Sequence, residues 1–234
     1  MMTTTEAKEL VKAKELVMKV FEAINKSETI EDIEAIYKEF PILSKNRIDP
    51  NNYSKIEFSI THQEINDLIE SGILFEDYSL SPITNSFDTL TKLLYSLVWK
   101  NGDLKKLRHI IQGIMDSDKN NDTKKDALVF YNFGGYLTKT EGHPIIDQHV
   151  IRAFAVYKTK TTDQEKIKTW LELQPINSKH KDIIGQYKGW LDSTELKKEL
   201  KSIIDYSDYL DKLLFATGKT IKRKKGIGNY KWFL

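Results

Sequence analysis

The 234-residue chain contains no cysteine. That absence excludes a disulfide framework, thiol catalysis, cysteine-bound zinc and an iron–sulfur cluster held by thiolates. It suits a reducing compartment, and a cytoplasmic location is the expectation. No apolar run approaches the about 18 residues of a membrane span, so no membrane partner is expected. The opening stretch from Met1 to Lys26 is amphipathic, carries Glu and Lys early and lacks the apolar core of a signal peptide. An excess of one charge is missing too: 36 basic residues face 34 acidic ones, leaving a formal net charge of +2. Bulk charge therefore makes no case for nucleic acid by itself.

Several catalytic signatures are also missing. The five histidines (His62, His109, His143, His149 and His180) form no His-Glu-x-x-His pair, which disfavours a zinc hydrolase. There is no Gly-x-Ser-x-Gly elbow. Gly218-Lys219-Thr220 resembles the end of a phosphate-binding P-loop, but Leu213 stands where that loop needs its first glycine. Gly226-Ile-Gly228 is a weak candidate for a phosphate-contacting turn. No metal or organic cofactor is expected.

What is present is ordinary globular material, 40% hydrophobic and 30% charged, enough for one compact domain or two lobes sharing a cleft. Leu10, Val11, Ala13, Leu16, Val17, Val20 and Phe21 recur at helical spacing and predict a first helix over about 5–26. Thr29 and Asp32 predict a capped second helix to about Phe40, ended by Pro41. Shorter or longer helices are expected over 63–71, 87–99, 104–115, 124–137, 148–158, 163–174, 180–190, 193–204 and 207–217. Lys55 to Ile60 is the best strand signal, and it is short. The fold class is mainly α. The expected division is an N-terminal helical lobe over 1–86 and a core over 87–234 with a basic tail. From Thr217 to Leu234 there are six cations (Lys219, Lys222, Arg223, Lys224, Lys225 and Lys231) and no acid. Such a run reads either as a phosphate-binding segment or as a solvated tail.

The informative stretch runs from Ala127 to Phe154. An aromatic-rich helix ends near Gly134-Gly135, a short loop follows, and Pro144-Ile-Ile-Asp147 enters a new helix. Asp147 falls at the N-cap, where free backbone N–H groups and the positive end of the helix dipole favour its ionised form. By residue type alone it is either a plain capping aspartate or a carboxylate placed to stabilise a developing cation.

Pro144-Ile-Ile-Asp-Gln-His-Val-Ile-Arg152 resembles the signature of the helix-hairpin-helix DNA glycosylases: proline, two residues, aspartate, one residue, histidine, valine, then a basic residue. Leu97-Val-Trp-Lys-Asn-Gly-Asp-Leu104 and Phe133-Gly-Gly-Tyr136 bring it closest to the bacterial 8-oxoguanine glycosylase (OGG-fold) family. The resemblance spans about Phe87 to Phe154, with a looser match around Tyr209 to Thr217. It implies a two-lobed helical bundle acting as a monomer on double-stranded DNA, flipping a damaged or modified base and hydrolysing its bond to the sugar. Asp147 is then the catalytic carboxylate. Trp99, Tyr131, Phe133, Tyr136 and Trp190 are candidates for the base pocket. Lys119, Asn121, Thr123, Lys125, His149, Arg152, Lys222, Arg223, Lys224 and Lys225 are candidates for DNA contact, with Arg152 either reaching a phosphate or bracing the lobe. Base-excision repair and defence against modified phage DNA both fit such an activity.

Two departures qualify the implication. The hairpin Lys119-Asn-Asn-Asp-Thr123 lacks the family's Gly-x-Gly, although asparagine tolerates the left-handed turn. Val129 or Leu128 stands where lyase-active members carry a lysine, and Lys124 lies about a turn early. The expectation is a monofunctional enzyme using water, with Lys124 as the reserve nucleophile. The alternative from another class is a non-catalytic nucleic-acid binding module with a glycosylase-like core.

Overall fold

The computed structural model describes residues 3–49, 51, 53–84, 86–119 and 126–223. In chain order its α-helices are α1 (Thr4–Lys26), α2 (Ile30–Glu39), α3 (Pro41–Ser44), α4 (His62–Glu70), α5 (Thr89–Lys100), α6 (Leu104–Met115), α7 (Leu128–Leu137), α8 (Gln148–Lys158), α9 (Gln164–Leu171), α10 (Lys181–Leu191), α11 (Lys198–Lys201) and α12 (Tyr206–Thr220), with a single 3-10 turn at Ser178–His180. The fold is mainly α-helical. Among the described residues there is no strand, only an isolated bridge between Leu74 and Leu80.

Local chemistry sets several helix starts. Thr29 accepts a hydrogen bond from the Asp32 N–H while the Asp32 carboxylate accepts from the Thr29 N–H, a reciprocal cap. Thr61 and Glu64 repeat it on α4. Asp88, Asp147 and Asp163 cap α5, α8 and α9.

Four expectations differ from what is found. Pro41 ends α2 but also occupies the first turn of α3, where its missing N–H does no harm. Lys55 to Ile60 finds no neighbouring strand; Ile56 and Ile60 instead pack on an apolar cluster, and the Ile60 N–H donates to Leu137 O at 2.9 Å. The expected helix over 193–204 contracts to α11. There Ser193 Oγ donates to Trp190 O and accepts from the Glu195 N–H, a local turn that competes with helix. Finally, α7 begins at Leu128, because Ala127 adopts a left-handed conformation (φ 48°) that no helix runs through.

The chain forms two compact units, one of residues 1–55 with 146–234, the other of 56–145. This division does not follow a cut at residue 86, because α1 and α2 pack with the C-terminal helices.

In the first unit α8 is the central helix, buried from His149 to Val156 and packed by α1, α9, α10 and α12. Phe21, Phe154, Tyr187 and Trp190 make an aromatic cluster beside it, with ring centroids 5.1–6.3 Å apart. Each such buried ring is worth about 1.5–3 kcal/mol in apolar transfer. In the second unit α6 and α7 cross at backbone contact. A Cβ on Gly113 would meet Tyr131 O at 1.9 Å, and one on Gly134 would meet Ile110 O at 2.0 Å. Ile65, Leu74, Ile111, Ile114, Tyr136 and Leu137 form this unit's core. Helix α5 buries none of its residues and exposes Leu90, Leu93, Leu94, Leu97 and Trp99.

Candidate active site around Asp147

Buried Ile146 leads into α8 and fixes the entry of Asp147, whose backbone is extended (φ −123°, ψ 152°). Its Oδ1 accepts the His149 N–H at 2.6 Å, and its carbonyl accepts the Ile151 N–H at 3.0 Å. The carboxylate is half-buried at the positive end of a buried helix. The other end of α8 is held as firmly. Lys14 comes from α1 and donates from Nζ to Val156 O and Tyr157 O at 2.8 Å each. An acid thus closes the N-terminus of α8 and a lysine its C-terminus, both in the sense the helix dipole favours. Burial lowers the pKa of Lys14 below its ordinary value.

Behind Asp147 lie His149 and Arg152. Arg152 is wholly buried. One terminal nitrogen donates to Gly218 O at 3.0 Å and to His149 Nδ1, and the other donates to Leu173 O. Of its two expected roles, the structure gives Arg152 the bracing one; a guanidinium so enclosed does not meet a DNA phosphate. Burial brings its pKa down to about 10, while the Asp147 charge holds it up, so it stays a cation at neutral pH. His149 is 8% exposed, with its ring edge-on to Phe215 at 4.9 Å. Burial first, then the neighbouring Arg152 charge, bring its pKa down to about 4, so it is neutral near pH 7. Because Nδ1 accepts from Arg152, the ring proton sits on Nε2. His149 is therefore a core acceptor rather than a phosphate ligand.

The remaining candidates separate. Trp190 is 2% exposed inside the aromatic cluster and belongs to the core, not to a base pocket. Tyr131 and Tyr136 are buried in the second unit, where Tyr131 Oη donates to Asp116 Oδ2 at 3.4 Å and Lys139 Nζ lies 3.9 Å from the Tyr136 ring centroid. Phe133 is half-buried and stacks with Tyr136 at 6.1 Å, and Trp99 is 63% exposed. Lys119 pairs with Asp116 at 2.5 Å. Asn121, Thr123, Lys124 and Lys125 lie outside the described residues, as do Lys224 and Lys225.

Of the described tail cations, Lys222 and Arg223 behave differently. Lys222 is half-buried, and its charge is felt at His149. Arg223 is nearly buried, pairs with Glu6 at 2.5 Å and Glu172 at 3.4 Å, and donates its N–H to Leu171 O. Hydrogen bonds from Lys168 and Arg223 bring the Glu6 pKa down to about 2. Arg223 is thus a strut of the first unit.

Two residues were missed by sequence reasoning. Lys14 stands on the apolar stripe of α1 beside Leu10, Ala13 and Val17, and a lysine on that stripe was the available signal. Gly218 lies inside α12, where only a missing Cβ lets that helix touch α8.

Among the described residues no group of acids and histidines could hold a metal ion, and no helix is long and apolar enough to cross a membrane. Comparison with protein families, curated proteins and solved structures finds no match to this chain.

Proposed function

We propose that this chain is a DNA glycosylase of the helix-hairpin-helix type, with Asp147 as its catalytic carboxylate. The observation that carries the reading is the placement of Asp147: a half-buried acid at the head of a buried helix whose far end and middle are both pinned. The α6–α7 pair, in backbone contact through Gly113 and Gly134, supports it as the hairpin element.

Breaking a base–sugar bond leaves an oxocarbenium-like sugar. A carboxylate that cannot swing away stabilises that charge without reorganising, and can align water for attack. The base is reached by flipping it out of the duplex. Of the aromatic candidates, Trp99 and Phe133 are the ones that keep exposed surface. The reaction is hydrolytic, with no covalent lysine adduct, in repair or in defence against modified phage DNA.

The second reading, a non-catalytic nucleic-acid module, is favoured by one observation. Asp147 already serves as a helix cap and as the acid that supports the buried Arg152 charge. One experiment separates the two. Duplexes carrying damaged bases, and genomic DNA from phages with modified bases, are incubated with the protein and then treated with alkali to cut abasic sites. The glycosylase reading expects cuts that Asp147→Asn removes, and no adduct on borohydride trapping. Absence of cuts on every substrate, with DNA binding retained, leaves the binding module. A trapped adduct lost in Lys124→Gln makes Lys124 the nucleophile.

A further inference from the structure

The first unit holds a cavity of 280 Å³ lined by Glu34, Tyr37, Arg47, Tyr53, Tyr209 and Lys212. Tyr37 comes from α2, Tyr209 and Lys212 from α12, and Arg47 and Tyr53 from the segment after α3. Three tyrosines and two cations therefore share one small enclosure. The Arg47 guanidinium sits 4.6 Å from the centre of the Tyr37 ring and 2.7 Å from the Glu34 carboxylate. That contact offsets the acid and leaves the cavity with one surplus positive charge. Lys212 carries it: its Nζ lies 5.6 Å from the Tyr209 ring centroid and makes no ion pair among the described residues. Tyr53 is 71% exposed and offers a bare ring face. Tyr37 is 5% exposed, and its hydroxyl is buried without a hydrogen-bond partner among the described residues. Such orphaned groups are rare in folded proteins and call for an explanation.

Charge and shape narrow the ligand. Aromatic cages favour organic cations, but two resident cations oppose one here. A purely apolar ligand would strip water from Lys212 and give it nothing in return. An inorganic anion would use the cations and leave three rings idle. A planar ring joined to an anion uses both features, by stacking on tyrosine and pairing with lysine. The volume lies just below the usual range for small-molecule pockets and admits at most one such unit rather than a chain of them.

We infer that this cavity binds a single nucleotide unit, with the base against Tyr53 and Tyr209 and the phosphate between Lys212 and Arg47. The site is separate from Asp147 and does not depend on the chemistry assigned there. The unit is either a free mononucleotide or the 5′-phosphorylated end of a DNA strand.

Calorimetric titration of the full chain tests this with dAMP, deoxyadenosine, deoxyribose 5-phosphate, and a short single strand with and without a 5′-phosphate. Saturable binding of dAMP with a dissociation constant below about 1 mM is expected. Deoxyadenosine and deoxyribose 5-phosphate should each bind at least about tenfold more weakly. Lys212→Gln should remove the advantage of dAMP over deoxyadenosine. Tyr53→Ala, at an exposed position, should weaken both ligands about fivefold. Tyr37→Phe deletes only the orphaned hydroxyl; it should leave the fold intact and weaken dAMP about threefold. A strand whose phosphate-dependent affinity exceeds that of dAMP, and is lost in Lys212→Gln, identifies a DNA end as the source. Phosphate-dependent binding of dAMP alone identifies the free nucleotide. No saturation by either at ~5 mM, or binding unmoved by Lys212→Gln and Tyr53→Ala, overturns the inference.

Discussion

Gly218 of α12 lies so close to His149 of α8 that a Cβ on the glycine would stand 1.8 Å from the histidine carbonyl oxygen. The obstacle is backbone within a buried helix, so it cannot give way as a side-chain tip would. The same approach lets Gly218 O accept from Arg152. Three features therefore depend on one missing methyl group: the α8–α12 contact, the bracing of Arg152 and the seat of Asp147.

Gly218→Ala should cost about 3 kcal/mol or more through overpacking. Gly185, in the exposed face of α10, is the control, since nothing lies within 4 Å of its would-be Cβ. Gly185→Ala should raise stability by about 0.5–1 kcal/mol, because alanine loses less backbone entropy in a helix. Urea titrations of both variants check the opposite signs; similar shifts would refute the tight crossing.

His149 should make stability fall in mild acid. Its folded pKa of about 4 lies below its ordinary 6.5. Between these values the unfolded chain binds the proton and the folded chain does not, so stability is full above about pH 6.5 and lost as pH falls toward 4. The loss should amount to about 1–3 kcal/mol. His149→Asn keeps an acceptor for Arg152 but cannot titrate. Unfolding measured at pH 7.5 and 4.5 should show a smaller drop in the variant; an equal drop would assign the effect elsewhere.

Asp147→Asn preserves the capping oxygen and removes the charge. Folding should weaken by about 1 kcal/mol, mostly through Arg152 losing its neighbouring acid. Base release should fall by at least about a hundredfold. Turnover within about tenfold of wild type, or ~1.4 kcal/mol of barrier, would sink the catalytic assignment.

Lys222 and Arg223 are adjacent cations with separate expected roles. Lys222→Gln should lower the log–log salt slope of DNA binding by about 0.9 and leave stability nearly unchanged. Arg223→Gln should do the reverse, losing about 2 kcal/mol as Glu6 and Glu172 are left without it. Filter binding across a salt series, paired with thermal melts, distinguishes them. A flattened slope in Arg223→Gln with unchanged melting would return Arg223 to the DNA-contacting set.

The legible parts of this fold were those written in local chemistry. The caps at Thr29 and Asp147 announce their helices, since the capping side chain and the N–H it satisfies lie two or three residues apart. The lost parts depend on distant partners. In sequence Arg152 stands open between phosphate contact and bracing, because its acceptors, Leu173 O and Gly218 O, lie 21 and 66 residues away. Trp190 looks available until Phe21 and Phe154 close over it. Lys14 reads as an interruption of an apolar stripe, and only the arrival of α8 gives its charge two carbonyls to hold. Tyr37, Arg47 and Tyr209 share no motif at all; they meet because α2 and α12 pack together.

The broken path of the first unit also has a temporal side. The carbonyl that receives Lys14 belongs to Val156, 142 residues further along. At roughly 5–20 residues per second of synthesis, α1 leaves the ribosome on the order of 10 s before its partner exists. Residues 56–145 are the first complete unit to emerge. Throughout that wait Leu10, Val17, Phe21 and Ile24, buried in the folded chain, lack the packing of α8 and α9. The first helix thus completes its core only late in synthesis, whereas the middle segment has all its partners before α8 is made.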